Sequence, residues 1–206
     1  MTLYVPDHFA APDRDAIAQL IAQHPFATLI SVADSAPVIT HLPLVADASG
    51  TLVGHVARAN PHAALLGQSA AVTAIFHGPH VYVSPTWYEQ PSVPTWNYAT
   101  VHVQAKVRVI EGEAAQAMLD HLLDTFDPDP LGEQGTRHMR RDERAGMLAQ
   151  IHCFALDMQG VDAKFKLSQN KSPADRLRVV SALGQQDHPD ADAIASLMMN
   201  TLMQGR

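Results

Sequence analysis

The spacing of apolar side chains alternates along this chain between the helical and the extended period, and each switch marks a change of element. Ile17, Leu20 and Ile21 form one stripe of a helix over 12–24, with Pro12 in its first turn and Asp13 and Asp15 at its positive end. His24-Pro25 ends it, because a residue before proline is pushed out of the α region. The period then drops to two. Phe26, Thr28, Ile30 and Val32 alternate, Asp34-Ser35 turns the chain, and strands follow over 38–45, 51–57, 71–76 and 81–84, with Gly78-Pro79 read as a turn. The clearest strand is 101–109, where Val101, Val103, Ala105, Val107 and Val109 share a face. One short helix interrupts the series: Asn60 caps it, Pro61 opens it, and Leu65 and Leu66 face inward.

Helical spacing returns after Glu111. Met118, Leu119, Leu122, Leu123 and Phe126 make a stripe closed by Asp127-Pro128, and 136–151 is arginine-rich and helix-compatible. Phe154, Leu156 and Met158 alternate as a strand, as do Ala163, Phe165 and Leu167. Ser172-Pro173 starts a helix ending near Gly184, and Pro189 opens a last one bearing Ile194, Leu197, Met198 and Leu202. Strands this close together leave little room for crossover helices. The expected fold is mainly β (α+β), an antiparallel barrel with peripheral helices. Residues 1–184 read as one domain, 185–189 as a linker, and 185–206 as a C-terminal helical tail, docked or exchanged with a partner.

Composition narrows the picture. The 206 residues are 47 % hydrophobic, which excludes a disordered chain, and the single cysteine, Cys153, excludes a disulfide framework or a cysteine-rich zinc module. No run is long enough for a spanning helix and the N-terminus lacks leader features, so no membrane association is expected and the cytoplasm is the expected compartment. The net charge is −7, and residues 1–100 carry only two basic side chains, Arg14 and Arg58. Such a balance disfavours direct DNA binding. The twelve histidines are scattered without metal-ligand spacing, so no metal site is expected.

Three stretches could carry chemistry. Arg58 sits at a strand end just before the Asn60 helix start, where backbone N–H groups favour an anion, and it reads equally as a phosphate ligand or a surface arginine. Residues 76–102 gather both tryptophans, three of the four tyrosines and three histidines. Trp87, Tyr88, Trp96, Asn97 and Tyr98 could wall a flat ligand or close the core, and two tryptophan clusters favour the ligand. In 164–176, Lys164, Lys166 and Ser168 share a strand face extended by Gln169 and Asn170; taken alone, this reads as a solvated edge protected by lysines. Taken singly, His41, His55, His62, His77, His80 and His102 read as core or surface residues. Arg137, Arg140, Arg141 and Arg144 read as a solvated or dimer-facing helix, since no DNA-reading motif accompanies them.

The motifs THLP (40–43), GHVARANPH (54–62), GPHVYVSPTWY (78–88), VPTWNYATVH (93–102) and KFKLSQNK (164–171) closely resemble the PaiB family. That family is described as FMN-binding negative transcriptional regulators with a split β-barrel related to pyridoxamine-phosphate-oxidase-like flavoproteins. The resemblance runs from LYVPDHF to about Val180. It implies a homodimer with FMN at the subunit interface. Thr40, His41, His55, Arg58 and Asn60 would lie near the cofactor, Trp96, Asn97 and His102 near its ring, and Lys166, Ser168 and Gln169 would arrive from a C-terminal strand. The chain departs from the family with Phe165 for tryptophan, Lys171 for arginine and Ala105 for glycine. The implied role is regulation, exerted indirectly through flavin or a small-molecule ligand. The alternatives are a flavin-dependent oxidoreductase and, more distantly, a haem-binding protein.

Overall fold

The computed structural model describes residues 3–129 and 141–205. The chain divides into two compact units: Pro25–Ile75 with Val103–Gly160, and Met1–His24 with Phe76–His102 and Val161–Arg206.

In the first of these, β1 (Phe26–Ala33) and β2 (Ala36–Pro43) form a hairpin whose register pairs Ala33 with Ala36. Asp34 and Ser35 make its two-residue turn, with φ of 50° and 64°. Positive φ at both positions matches the right-handed twist of the flanking strands, and aspartate tolerates that region better than most residues. The expected strand over 38–45 breaks at Leu44. This fully buried residue gives its N–H to Pro25 O, and pairing resumes only in β3 (Val45–Ala46) against β4 (Leu52–Ala57).

Three longer strands, β5 (Ala71–Val83), β6 (Thr95–Ile110) and β7 (Ile151–Lys166), continue through both units. The strand order is β2-β1-β5-β6-β7-β4-β3. Among the described residues no ladder joins β2 to β3, so the antiparallel sheet is open, in keeping with the split barrel expected. β7 is one strand where two were expected. Residues 153–156 are buried on both faces, as an interior strand between β6 and β4 should be, and this hides the two-residue period. Helix α2 (Gly112–Phe126) lays Ala115, Met118 and Leu122 against Val53, Cys153 and Ala155. Helix α3 (Arg141–Leu148) accounts for part of the arginine-rich stretch, whose residues 136–140, with Arg137 and Arg140, lie outside the described residues.

In the other unit, α1 (Arg14–Gln23) starts two residues later than expected, because the Asp13 carboxylate takes the Ala16 N–H at 2.8 Å and so caps the helix. Gly78-Pro79 proves to be strand interior. Gly78 occupies a buried position where a Cβ would lie 2.9 Å from both Ala99 O and Leu20 Cδ1, so only glycine lets α1 come this close. Pro79 is tolerated because β1 pairs with β5 only over residues 73–75, so no β1 carbonyl waits for its missing N–H. Helix α4 (Pro173–Leu183) is capped by Ser172, and α5 (Ala191–Met203) packs on it through fully buried Ile194 and Met198. The buried Arg176 guanidinium donates to Met198 O at 3.3 Å and to the Thr201 hydroxyl.

Gly78→Ala should cost about 1–3 kcal/mol, since the added methyl meets backbone rather than a flexible side-chain end. Gly146→Ala in α3 meets nothing within 4 Å and should be neutral or stabilising by up to about 1 kcal/mol. Urea unfolding of the two variants checks both signs; equal stability would show that the α1 approach imposes no constraint.

Candidate functional site

His62, fully enclosed, sets the polar centre of the β1–β4 unit. Its Nε2 lies 2.8 Å from Ser31 Oγ on β1, and its Nδ1 lies 2.8 Å from Thr40 Oγ1 on β2. Asn60 Nδ2 donates to the same Thr40 hydroxyl at 3.3 Å, while Asn60 Oδ1 accepts the His62 N–H at 2.9 Å. Thr40 and Asn60, both expected near the cofactor, are therefore held together by a histidine that the sequence reading weighed only singly. Its place inside GHVARANPH was the available signal. Burial holds the His62 pKa below the ordinary histidine range. His41 follows Thr40 in the same strand, so it points to the opposite face, where it meets Thr28 Oγ1 at 3.1 Å and stacks on Phe26.

Arg58 lies just past β4. Its backbone N–H donates to Gln150 O at 2.8 Å and its Nε to Ala149 O at 2.9 Å, which fixes the base of an exposed guanidinium. The turn after it is a five-residue 3-10 helix, Pro61–Leu65. Its early N–H groups are already engaged: Asn60 N–H with Ala57 O, His62 N–H with Asn60 Oδ1, and Ala63 N–H with Asn60 O. These backbone donors are taken, which leaves the exposed Arg58 guanidinium to offer its own. His55 sits elsewhere, on the β4 face that Val53 shares and that α2 covers. Burial lowers its pKa, and its Nδ1 is shut off from solvent with no hydrogen-bond partner among the described residues.

In the other unit the ring candidates divide between two faces of β6. Trp96 is half exposed and shares an open cleft of about 490 Å³ with His77, His80, Tyr98 and His102. Its ring centroid lies 6.1 Å from those of Tyr82 and His80. The His102 pKa is lowered by burial and by nearby His77, against an opposing pull from Asp162. Asn97, one residue on, has no exposed surface; its Nδ2 donates to Ser168 Oγ at 3.0 Å and to Met198 Sδ at 3.4 Å. Tyr88 OH lies 3.3 Å from the same Ser168 hydroxyl. Asn97 therefore ties β6 both to Ser168 and, through Met198, to α5 within the interior.

The lysine-rich strand end is not a solvated edge. Lys164 is only 9 % exposed, donates to Tyr4 O at 3.1 Å, and lies over the Tyr4 and Tyr98 rings. Lys166 donates to Trp96 O at 2.7 Å and to the Thr95 hydroxyl, and burial, then Lys164, lowers its pKa. Gln169 spends its amide on the local turn, accepting from Leu167 N–H and donating to Phe165 O. Lys171 sits 4.8 Å from the Tyr88 ring centroid and donates to Ser92 Oγ, so it keeps a cation where the family commonly has arginine.

An exposed arginine anchored at its base suits a phosphate, and a half-exposed tryptophan among imidazoles suits a flat heteroaromatic ring. No cluster of metal-ligating side chains is assembled among the described residues, and none of their helices is long and apolar enough to cross a membrane. The open antiparallel sheet with peripheral helices is that of the split-barrel flavoproteins. Similar folds occur in the FAD and Heme binding protein from Mycobacterium smegmatis (TM-score 0.62, 21 % identity, 81 % of this chain and 78 % of that one) and in the flavocytochrome Anf3 from Azotobacter vinelandii (TM-score 0.64, 13 % identity, 84 % and 78 %). Residues 3–159 match the family described as "Putative FMN-binding domain". The chain belongs to this family. It is 28 % identical to the "Protease synthase and sporulation protein PAI 2" of Bacillus subtilis, across 97 % of this chain and 98 % of that protein. It is also 26 % identical to an uncharacterized protein of Emericella nidulans, across 87 % and 89 %.

Because His62 is kept neutral in the folded chain but titrates near pH 6.5 when unfolded, the unfolded state binds more protons below that pH. Its contribution to stability is present above that pH and is lost as pH falls. His55 and His102 share the direction. Unfolding midpoints should drop between pH 7 and pH 5, and His62→Gln, which keeps hydrogen-bonding atoms but cannot titrate, should flatten the drop. An unchanged slope in that variant would show that His62 titrates as it does unfolded.

Proposed function

We propose that this chain is a PaiB-type FMN-binding protein that acts as a homodimer in the cytoplasm and regulates indirectly, through its flavin or a small metabolite. The observation that carries the reading is Arg58: a guanidinium held at its base by Ala149 O, in a half-chain with one other basic residue, within the motif that aligns it with the family. On this reading Arg58 takes the FMN phosphate, and Thr40 and Asn60 fix the turn that carries it. In the other unit, Trp96 and His102 present an open aromatic surface. Asn97, Ser168, Lys166 and Gln169 hold that surface in place. Bound FMN would supply one- and two-electron redox chemistry; the side chains supply binding, orientation and shielding from water.

The homodimer is supported by the β1–β2 hairpin. β2 is a sheet edge, and Phe26, Val32 and Ile39 expose large apolar side chains along the hairpin. An apolar edge is an aggregation hazard for a monomer and a ready interface for a second copy. The net charge of −7 argues against a DNA grip by this chain alone. The oxidoreductase alternative draws on the imidazoles of His77, His80 and His102 beside Trp96, which carry ring nitrogens able to donate or accept a hydrogen bond. Accelerated oxidation of a nicotinamide donor by the FMN-loaded protein would favour it.

Arg58→Ala should weaken FMN roughly tenfold to a hundredfold, because a hydrogen bond to a charged group contributes about 1.5–3 kcal/mol. Riboflavin, which lacks the phosphate, should bind both proteins alike. Fluorescence titration of the two ligands against the two proteins closes the cycle. An equal loss for riboflavin would assign Arg58 to the fold and not to the phosphate.

A further inference from the structure

The turn that carries Arg58 is tied down by a histidine answered only by neutral atoms. His62 is 1 % exposed, and its turn packs against β1, β2 and β4. No charged group bonds to it from any side among the described residues. β1 has no titratable side chain, and Asp34 stands exposed in the hairpin turn beyond it. His41 of β2 points to the opposite face, towards Thr28. His55 of β4 shares the face of Val53, which packs on α2, and Arg58 follows that strand with its Nε on Ala149 O. His152 of β7 places its Nε2 2.9 Å from Leu66 O.

The protons of the network run in one direction. Asn60 Nδ2 donates to Thr40 Oγ1, and the Thr40 hydroxyl then has one protein acceptor among the described residues, His62 Nδ1 at 2.8 Å. Nδ1 is therefore the bare nitrogen, and Nε2 carries the proton that it gives to Ser31 Oγ at 2.8 Å. A second proton on the ring would land on Nδ1. Thr40 would lose its acceptor, its oxygen would face donors from both Asn60 and His62, and a cation would sit where neither water nor a carboxylate answers it. Burial already holds the His62 pKa low, the direction expected of a ring kept neutral.

We propose that His62 is a positioning residue and an acid-sensitive latch: its neutral ring ties the turn after β4 to the β1–β2 hairpin, and its protonation frees that turn and releases a phosphate-bearing ligand from Arg58. The proposal rests on the assignment of the FMN phosphate to Arg58. It adds that acid empties the site although the guanidinium stays charged throughout.

FMN and riboflavin are titrated by fluorescence against the wild type, Arg58→Ala and His62→Gln from about pH 7.5 to about pH 5, and the His62 ring nitrogens of the wild type are followed by NMR alone and with each flavin at saturation. A phosphate monoester itself takes up a proton near about pH 6, so every protein should lose some FMN affinity, and His62→Gln measures that loss by itself. The wild type should lose about tenfold more than His62→Gln over this range, while riboflavin binding stays level. Linkage requires the reciprocal effect: FMN, held better by the neutral form, should move the His62 titration midpoint to lower pH, and riboflavin should leave it in place. A phosphate acting on the ring only through its charge would move the midpoint to higher pH, so the direction of movement decides. An upward or absent movement, or the same pH dependence in wild type and His62→Gln, would overturn the latch and leave Arg58 its phosphate. Unchanged FMN affinity in Arg58→Ala at about pH 7.5 would instead remove the phosphate assignment, and the latch with it. If His62→Gln does not fold, the NMR titration decides on the wild type alone.

Discussion

A histidine with no access to water must have both ring nitrogens answered by the protein, and His62 obtains this only if three segments stay together. Ser31 comes from β1, Thr40 from β2, and His62 from the turn after β4. Leaving one of these hydroxyls unpaired in the interior would cost about 1–3 kcal/mol, so the network specifies one arrangement of hairpin and turn. Asn60 completes it from both directions, capping the turn with Oδ1 and bonding Thr40 with Nδ2. Arg58 is presented from the chain between β4 and this turn, and its reach is set before any ligand arrives. Preorganisation of this kind spares a phosphate site the entropy of ordering its own loop.

The other unit solves a related problem with an amide. Asn97 and Ser168 satisfy each other where β6 meets α5, and this frees Trp96, the preceding residue, to stand half exposed on the opposite face. A buried anchor beside an exposed aromatic follows from strand alternation alone. It explains why two neighbours assigned to one ligand play different parts: Trp96 can touch a ring, and Asn97 holds the strand that carries it. Lys166 does the same through Trp96 O, which fixes the backbone at the exposed residue.

Much of this was legible in the chain. The alternation over 101–109, the stripe from Met118 to Phe126 and the Asp34-Ser35 turn all emerge as strand, helix and hairpin, because each is decided by local periodicity or local backbone preference. The misreadings have a common cause, which is that a tertiary neighbour changed what the local signal meant. Gly78-Pro79 carries a turn signal, but the glycine is there for Leu20, and the proline is allowed by the end of the β1 ladder. Lys164 and Lys166 look like a protected edge until residues near Tyr4 and Trp96 cover them. At the candidate site, motif resemblance gathered the residues, but only the fold shows that His55 and Thr40 serve different surroundings, or that the N–H groups after Arg58 are already spent.

The central claim is that this chain is built to hold FMN. The most direct measurement is the visible absorption of the purified protein incubated with excess FMN and then desalted. The account predicts that about one flavin per chain co-elutes with the protein, with a visible band altered from that of free FMN by its surroundings. Complete loss of flavin on desalting, with haem retained under the same treatment, would contradict it.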